Sequence, residues 1–261
     1  MIPKRPLLSI LLTFLSISFA FATTVRPSAS QSVLLSEGRD LAGSYVGAID
    51  NATAVIAGGM CHGADGQENG FSSDICILAA TASGYECVPA GVVLPEGMCG
   101  GCSAVSGKSL YCIGGFSSDG YNPCVIRISL NGQNCSVEQA GVLPEGFRAG
   151  AATSWKGNIY VHGNAGGKNA LYRLEPLSMQ WTALAPCPER LIEGGCTFAP
   201  QHNGREAALY LIGGHGDEGD ANLDASNVWE YLPMHDTWVK KAAICDGNGS
   251  GAFECAASFP Y

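Results

Sequence analysis

Leu110-Tyr111-Cys112-Ile113-Gly114-Gly115 is a short apolar run closed by a glycine doublet, and the chain carries the phrase four times. The other copies are Ala54-Val55-Ile56-Ala57-Gly58-Gly59, Ile159-Tyr160-Val161-His162-Gly163-Asn164 and Leu209-Tyr210-Leu211-Ile212-Gly213-Gly214. Counted from the first glycine of each copy, the steps are 56, 49 and 50 residues. A corner of related sequence precedes each one: Leu35-Ser36-Glu37-Gly38, Leu94-Pro95-Glu96-Gly97, Leu143-Pro144-Glu145-Gly146 and Pro188-Glu189. A repeat near fifty residues, built from short strands, predicts an all-β chain folded as a kelch-type β-propeller with one four-stranded blade per repeat.

Working outward from Leu110, blade two reads as strand, turn, strand, loop, strand, turn, strand. Gly101–Val105 and Leu110–Ile113 flank the turn Ser106-Gly107-Lys108, and Cys124–Leu130 and Cys135–Gln139 flank Asn131-Gly132. Asn-Gly between apolar runs is a strong hairpin signal. The doublets suit places where strands crowd and the backbone must kink, since glycine has no side chain to clash. Blades three and four share Pro176 five residues before Trp181, and Pro233 five before Trp238. The repeats assign blades to about 36–92, 93–141, 142–186 and 187–243, with 244–261 as part of a fifth. Ser32-Val33-Leu34-Leu35 sits where a fourth strand should end, yet no first three strands precede it. Both ends of the repeat array read as unfinished, and a truncated sequence is the expected explanation.

The first 22 residues read as a secretory signal: Lys4 and Arg5, an apolar stretch from Leu7 to Phe19, then Ala20-Phe21-Ala22 as the cleavage site. The remaining domain, 23–261, is therefore expected to be secreted or periplasmic, with no membrane span in the mature chain. Without Lys4 and Arg5, 12 basic residues face 23 acidic ones. No basic patch is left to neutralise phosphates, which argues against a nucleic-acid partner.

Twelve cysteines in an exported chain favour disulfides. Cys76 and Cys87 are separated by ten residues, and so are Cys124 and Cys135 in the next repeat. The later position falls near Trp181 and Trp238 in the following blades, so strands three and four are expected to be stapled by cystines in blades one and two. Cys102 and Cys112 flank the Gly107-Lys108 turn symmetrically and could face each other across that hairpin; buried thiols are the alternative reading.

Other chemistry is sparse. In the acidic loop His215–Asp224, Asp220, Asn222 and Asp224 match the first three ligand positions of an EF-hand loop. Ala225 and Tyr231 fail its required glycine and bidentate glutamate, so no metal site is expected. Cys99-Gly100-Gly101-Cys102 opens a strand rather than the helix a redox C-x-x-C requires. His62, His162 and His215 adjoin the glycine turns and could line one mouth of the propeller, but surface or structural roles are the favoured reading; His202 and His235 lie elsewhere. Sequons at Asn51, Asn134 and Asn248 permit glycosylation and no more.

Arg39-Asp40-Leu41-Ala42-Gly43-Ser44-Tyr45-Val46-Gly47, leading to Ala54–Gly59, is similar to the "VAGGFAG…LIFAGG" blade of bacterial kelch proteins in the N-acetylneuraminate epimerase (sialic acid mutarotase) family. Phe147-Arg148-Ala149-Gly150 through Ile159–Val161 and Gly163–Gly166 resembles that family's opening blade, and Trp181–Ala185 with Leu209–Gly214 resembles its second. The likeness covers roughly 37–245, in a blade order resembling the cyclically permuted branch.

The resemblance implies a six-bladed propeller that binds a small sugar acid, sialic acid, and speeds exchange of its anomers without a cofactor. Such chemistry needs one group to take the anomeric hydroxyl proton, another to protonate the ring oxygen and a cation for the carboxylate. The family's Gly-Glu-x-x-x-Gly-x-Arg element has no match here, since Glu145-Gly146-Phe147-Arg148 is a blade corner, so the catalytic residues are unknown. Arg148, Arg190 and Glu193 at blade entries, with Glu68 and Asn69 in the loop after the first doublet, are the candidates to line the pocket. The rival reading is a kelch module that binds a glycan or a protein and catalyses nothing. A copper radical oxidase, also found on kelch scaffolds, would need a Tyr and His ligand set with a Cys-crosslinked Tyr; no constellation here points to it.

Overall fold

The computed structural model describes residues 40–62, 68–82, 84–132, 134–189, 192–215 and 227–242, and every regular element among them is a β-strand. Strands β1 (Asp40–Ala42), β2 (Tyr45–Asp50), β3 (Thr53–Ala57), β4 (Met60–His62), β5 (Glu68–Phe71), β6 (Ile75–Thr81) and β7 (Gly84–Pro89) make the first repeat. The second holds β8 (Cys102–Ser106), β9 (Ser109–Ile113), β10 (Phe116–Ser117), β11 (Gly120–Tyr121), β12 (Cys124–Asn131) and β13 (Asn134–Val142). The third is β14 (Phe147–Trp155), β15 (Asn158–Ala165), β16 (Lys168–Glu175) and β17 (Gln180–Leu184); the fourth is β18 (Glu193–His202), β19 (Ala207–His215), β20 (Val228–Leu232) and β21 (Thr237–Lys240). Each repeat forms one antiparallel four-stranded sheet: β2-β3-β6-β7, β8-β9-β12-β13, β14-β15-β16-β17 and β18-β19-β20-β21. The signal stretch 1–22, the segment Ser32–Leu35 and the fifth-blade segment 244–261 lie outside the described residues.

The blades pack face to face, which is why strand β9 is apolar without alternation. Leu110 and Cys112 point into a cluster with Tyr45, Val55, Ala57 and Ile75 of blade one. Tyr111 and Ile113 point the other way, into Phe147, Ile159, Val161 and Leu174 of blade three. Period-two side chains buried on both faces give a continuous hydrophobic run. Blades three and four meet through Tyr160, Leu171, Leu209, Leu211 and Tyr231. The first strands β2, β8, β14 and β18 neighbour one another in that order and form the inner layer.

Polar ties fasten the apolar interfaces. Buried Tyr45 donates its hydroxyl to the Gly114 carbonyl of the next blade at 2.6 Å. Tyr121 does the same to Phe147 at 3.0 Å. The indoles of Trp181 and Trp238 donate back to the segments that precede their blades, at Val142 (2.9 Å) and Ala185 (2.7 Å).

The doublets kink as expected in three copies. Gly114 and Gly115 take φ of 62° and 120°, and a Cβ on Gly115 would strike the Tyr45 hydroxyl and the Cys99 carbonyl. In the third copy strand β15 runs straight on, and the left-handed glycines appear three residues later at Gly166 and Gly167, φ 61° and 76°. Gly163 is needed there for space alone, because a Cβ would overlap the Arg148 carbonyl of β14. Asn164 at the second site therefore costs no left-handed strain.

Two of the three cysteine pairings do not fit the registers. Cys124 lies opposite Val142 and Cys135 opposite Leu130, six positions apart along the ladder, or about 20 Å. The ten-residue spacing equals that of Cys76 and Cys87, but the Asn131–Asn134 turn sits further from the midpoint. At the place of Trp181 and Trp238, blade two carries Val137 rather than Cys135. Cys102 pairs with Ile113 and Ser103 with Cys112, so Cys102 and Cys112 point to opposite faces of the sheet. Their clusters confirm it: Cys112 packs toward blade one and Cys102 toward blade three.

Candidate functional site

The end of the blades where first strands begin and second strands finish gathers most of the sequence-derived candidates. Arg148 follows Phe147 at the start of β14, opposite Asn164. Alternation buries Phe147 between blades and leaves Arg148 exposed. The Arg148 guanidinium stands over the Tyr121 ring, 5.2 Å from its centroid. Burial raises the Tyr121 phenol above its ordinary value, so it remains the protonated donor that ties blade two to Phe147. Phe116, 46% exposed, meets the same ring edge-on at 5.8 Å. Behind them buried Asn122 donates to Glu96 at 2.8 Å, joining the β11–β12 connection to the corner that starts blade two.

Glu193 opens β18 and pairs in register with His215. Glu68 opens β5 and pairs with His62, with Asn69 following it. Blades one, three and four thus each bring a histidine or asparagine opposite a charged residue at this end. Arg190 and the loop carrying Asp220, Asn222 and Asp224 lie outside the described residues. Among the described residues no group of three or more His, Cys, Asp or Glu side chains could hold a metal ion.

Asn169 organises the approach to Glu193. Its buried amide donates to the carbonyls of Cys187 (3.3 Å) and Glu189 (3.0 Å) and accepts from the Ile192 amide at 2.8 Å. A cleft of about 450 Å³ opens beside it, lined by Gly167, Lys168, Asn169 and Pro186–Glu189. Exposed Lys168 adds a second cation near the start of blade four.

Sequence reading did not find the Phe116–Tyr121–Arg148 group, the Asn169 clamp or buried Glu230. Tyr210 (2.7 Å), Asn203 (2.8 Å) and Lys241 (3.0 Å) all bond the Glu230 carboxylate. Burial alone would raise its pKa; those three partners outweigh it and hold the carboxyl below its ordinary value. It faces away from blade three and from the cleft, so its role is structural. No short motif marks any of these residues, because their partners come from other strands or other blades.

The sheets and their face-to-face packing define a β-propeller of the kelch type, and the solved structure of YjhT has the same fold. It superposes with a TM-score of 0.60 over 83% of this chain and 74% of that one, at 16% identity. N-acetylneuraminate epimerase of Pasteurella multocida (strain Pm70) is 32% identical over 100 residues, which span 38% of this chain and 25% of the epimerase. No family model matches the chain.

Proposed function

We propose that this protein is a mutarotase-like propeller that binds a small sugar acid of the N-acetylneuraminate type and speeds exchange of its anomers. The observation that carries the reading is the hundred-residue likeness to an enzyme named for that sugar. The site's geometry suits it. Arg148 is an exposed guanidinium on an inner strand, able to take a carboxylate through paired charge-assisted hydrogen bonds. Glu68 and Glu193 share that end and are the proposed proton carriers. One group removes the anomeric hydroxyl proton while another protonates the ring oxygen, and the C–O ring bond breaks to leave the open-chain ketone. Reclosure on the opposite carbonyl face returns both protons and yields the other anomer.

The blade order, permuted relative to the epimerase, belongs to the same proposal and is supported by the placement of Arg39–Gly47 ahead of Phe147–Gly150. So does export to the cell exterior or periplasm, on the strength of Lys4 to Ala22. N-terminal sequencing of protein recovered from outside the cell should begin near Thr23.

Magnetisation exchange between the α and β anomers of N-acetylneuraminate, followed by NMR with the full chain, tests the activity. Faster exchange is expected, with affinity falling about 10- to 100-fold in Arg148→Ala. Ligand line broadening without faster exchange would leave binding alone; neither effect at high protein concentration would overturn the reading.

A further inference from the structure

We propose that Cys76 and Cys87 form a disulfide that fastens the outermost strand of blade one, a modification independent of the mutarotase reading. Strand β7 is the edge of its sheet and largely exposed, with Tyr85, Glu86, Val88 and Pro89 facing solvent. Blades three and four hold the equivalent strand with an indole: Trp181 opposite Leu174 and Trp238 opposite Tyr231, each bonded to the preceding segment. Cys87, opposite Leu78, occupies that same place in blade one.

The register supplies the partner. Cys76 lies opposite Pro89, two positions along from the Leu78–Cys87 pair, so both cysteines project from the same face as diagonal neighbours. Their side chains meet in a hydrogen bond. Diagonal Cα atoms lie about 7–8 Å apart, just beyond the usual span of a disulfide, so a small backbone shift closes the bond. The side-chain hydrogen bond already brings the two sulfurs toward each other. Of the three pairs that spacing suggested, only this one shares a face and a reach. Both residues are half-buried, so a small oxidant can approach.

Oxidation would run by thiol–disulfide exchange with a low-molecular-weight disulfide. One cysteine thiolate attacks a sulfur of glutathione disulfide and expels one glutathione thiol. The second cysteine then attacks the mixed disulfide and expels the other. Two protein thiols and one glutathione disulfide become one cystine and two glutathiones, which balances the electrons.

The full chain equilibrated with glutathione disulfide, acid-quenched and alkylated under denaturing conditions, tests the proposal by peptide mass. Cleavage after glutamate separates Asn69–Glu86, carrying Cys76, from Cys87–Glu96, so the bond joins two distinct peptides. The linked pair should appear, vanish on reduction and be absent from Cys87→Ser. Recovery of both peptides alkylated without reduction, or of either linked to another cysteine's peptide, would overturn it. The wild-type result stands even where the variant fails to fold.

Discussion

His162 occupies the position held by Ala57, Ile113 and Ile212 in the other blades, and it is completely buried. Neither ring nitrogen has a hydrogen-bond partner among the described residues, although the Asn169 amide lies near enough to favour the charged ring slightly. Burial brings its pKa from 6.5 down to about 4. The unfolded chain therefore binds the proton first as pH falls, and stability declines from pH 6.5 down to about 4. At pH 5 the loss amounts to about 2 kcal/mol. His162→Ile, matching the aliphatic residue of blades two and four, should flatten that part of the profile in urea unfolding at pH 7 and pH 5. A variant as acid-sensitive as the parent would assign the effect elsewhere. Glu230 acts in a different window. Its depressed pKa gives stability that is complete above its ordinary value of 4.5 and lost only as pH falls through the folded pKa below it.

Among the elements, the fourth strands show how different sequences solve one mechanical problem. Trp238 stacks on Phe198 at 6.2 Å and tilts against Tyr231 at 5.0 Å while its indole N–H reaches Ala185. Trp238→Phe keeps most of the packing and should cost about 1 kcal/mol through the lost hydrogen bond, whereas Trp238→Ala should cost about 3–5 kcal/mol. Denaturant midpoints would measure both, and a Trp238→Phe variant as stable as the parent would mean that the N–H contributes nothing separable. The strands themselves were legible: β8, β9 and β12 fall within two residues of the runs read around Gly107 and Asn131-Gly132. The β10–β11 hairpin was not, because Phe116–Tyr121 has no alternation to mark it. Nor was the third doublet's displacement to Gly166-Gly167, where strand length rather than local preference sets the turn.

For the whole molecule, each cluster draws on two consecutive blades, so coupling passes between neighbours as it does in repeat proteins. Leu209 is fully buried between blades three and four. Leu209→Ala should cost about 2–5 kcal/mol. Hydrogen exchange should then lose protection in β15–β20 before it does in β3 or β6. Uniform loss across all four sheets would show a single cooperative unit instead. The candidate site is likewise a property of neighbours, since Arg148 and Glu193 were picked out by their places at blade entries and Glu68 by the loop after the first doublet, while Tyr121 and Asn169 needed the blades assembled.

The repeat spacing, the glycine doublets and the unbroken apolar runs are enough by themselves to determine a β-propeller of kelch type. Strand period and burial on two faces write that pattern directly into the chain. Only the tertiary structure decided which cysteines meet, which glycines turn and which aromatic stands beside Arg148. Equal sequence spacings become unequal distances once a hairpin turn shifts, and a residue one step further along a strand points to the opposite face.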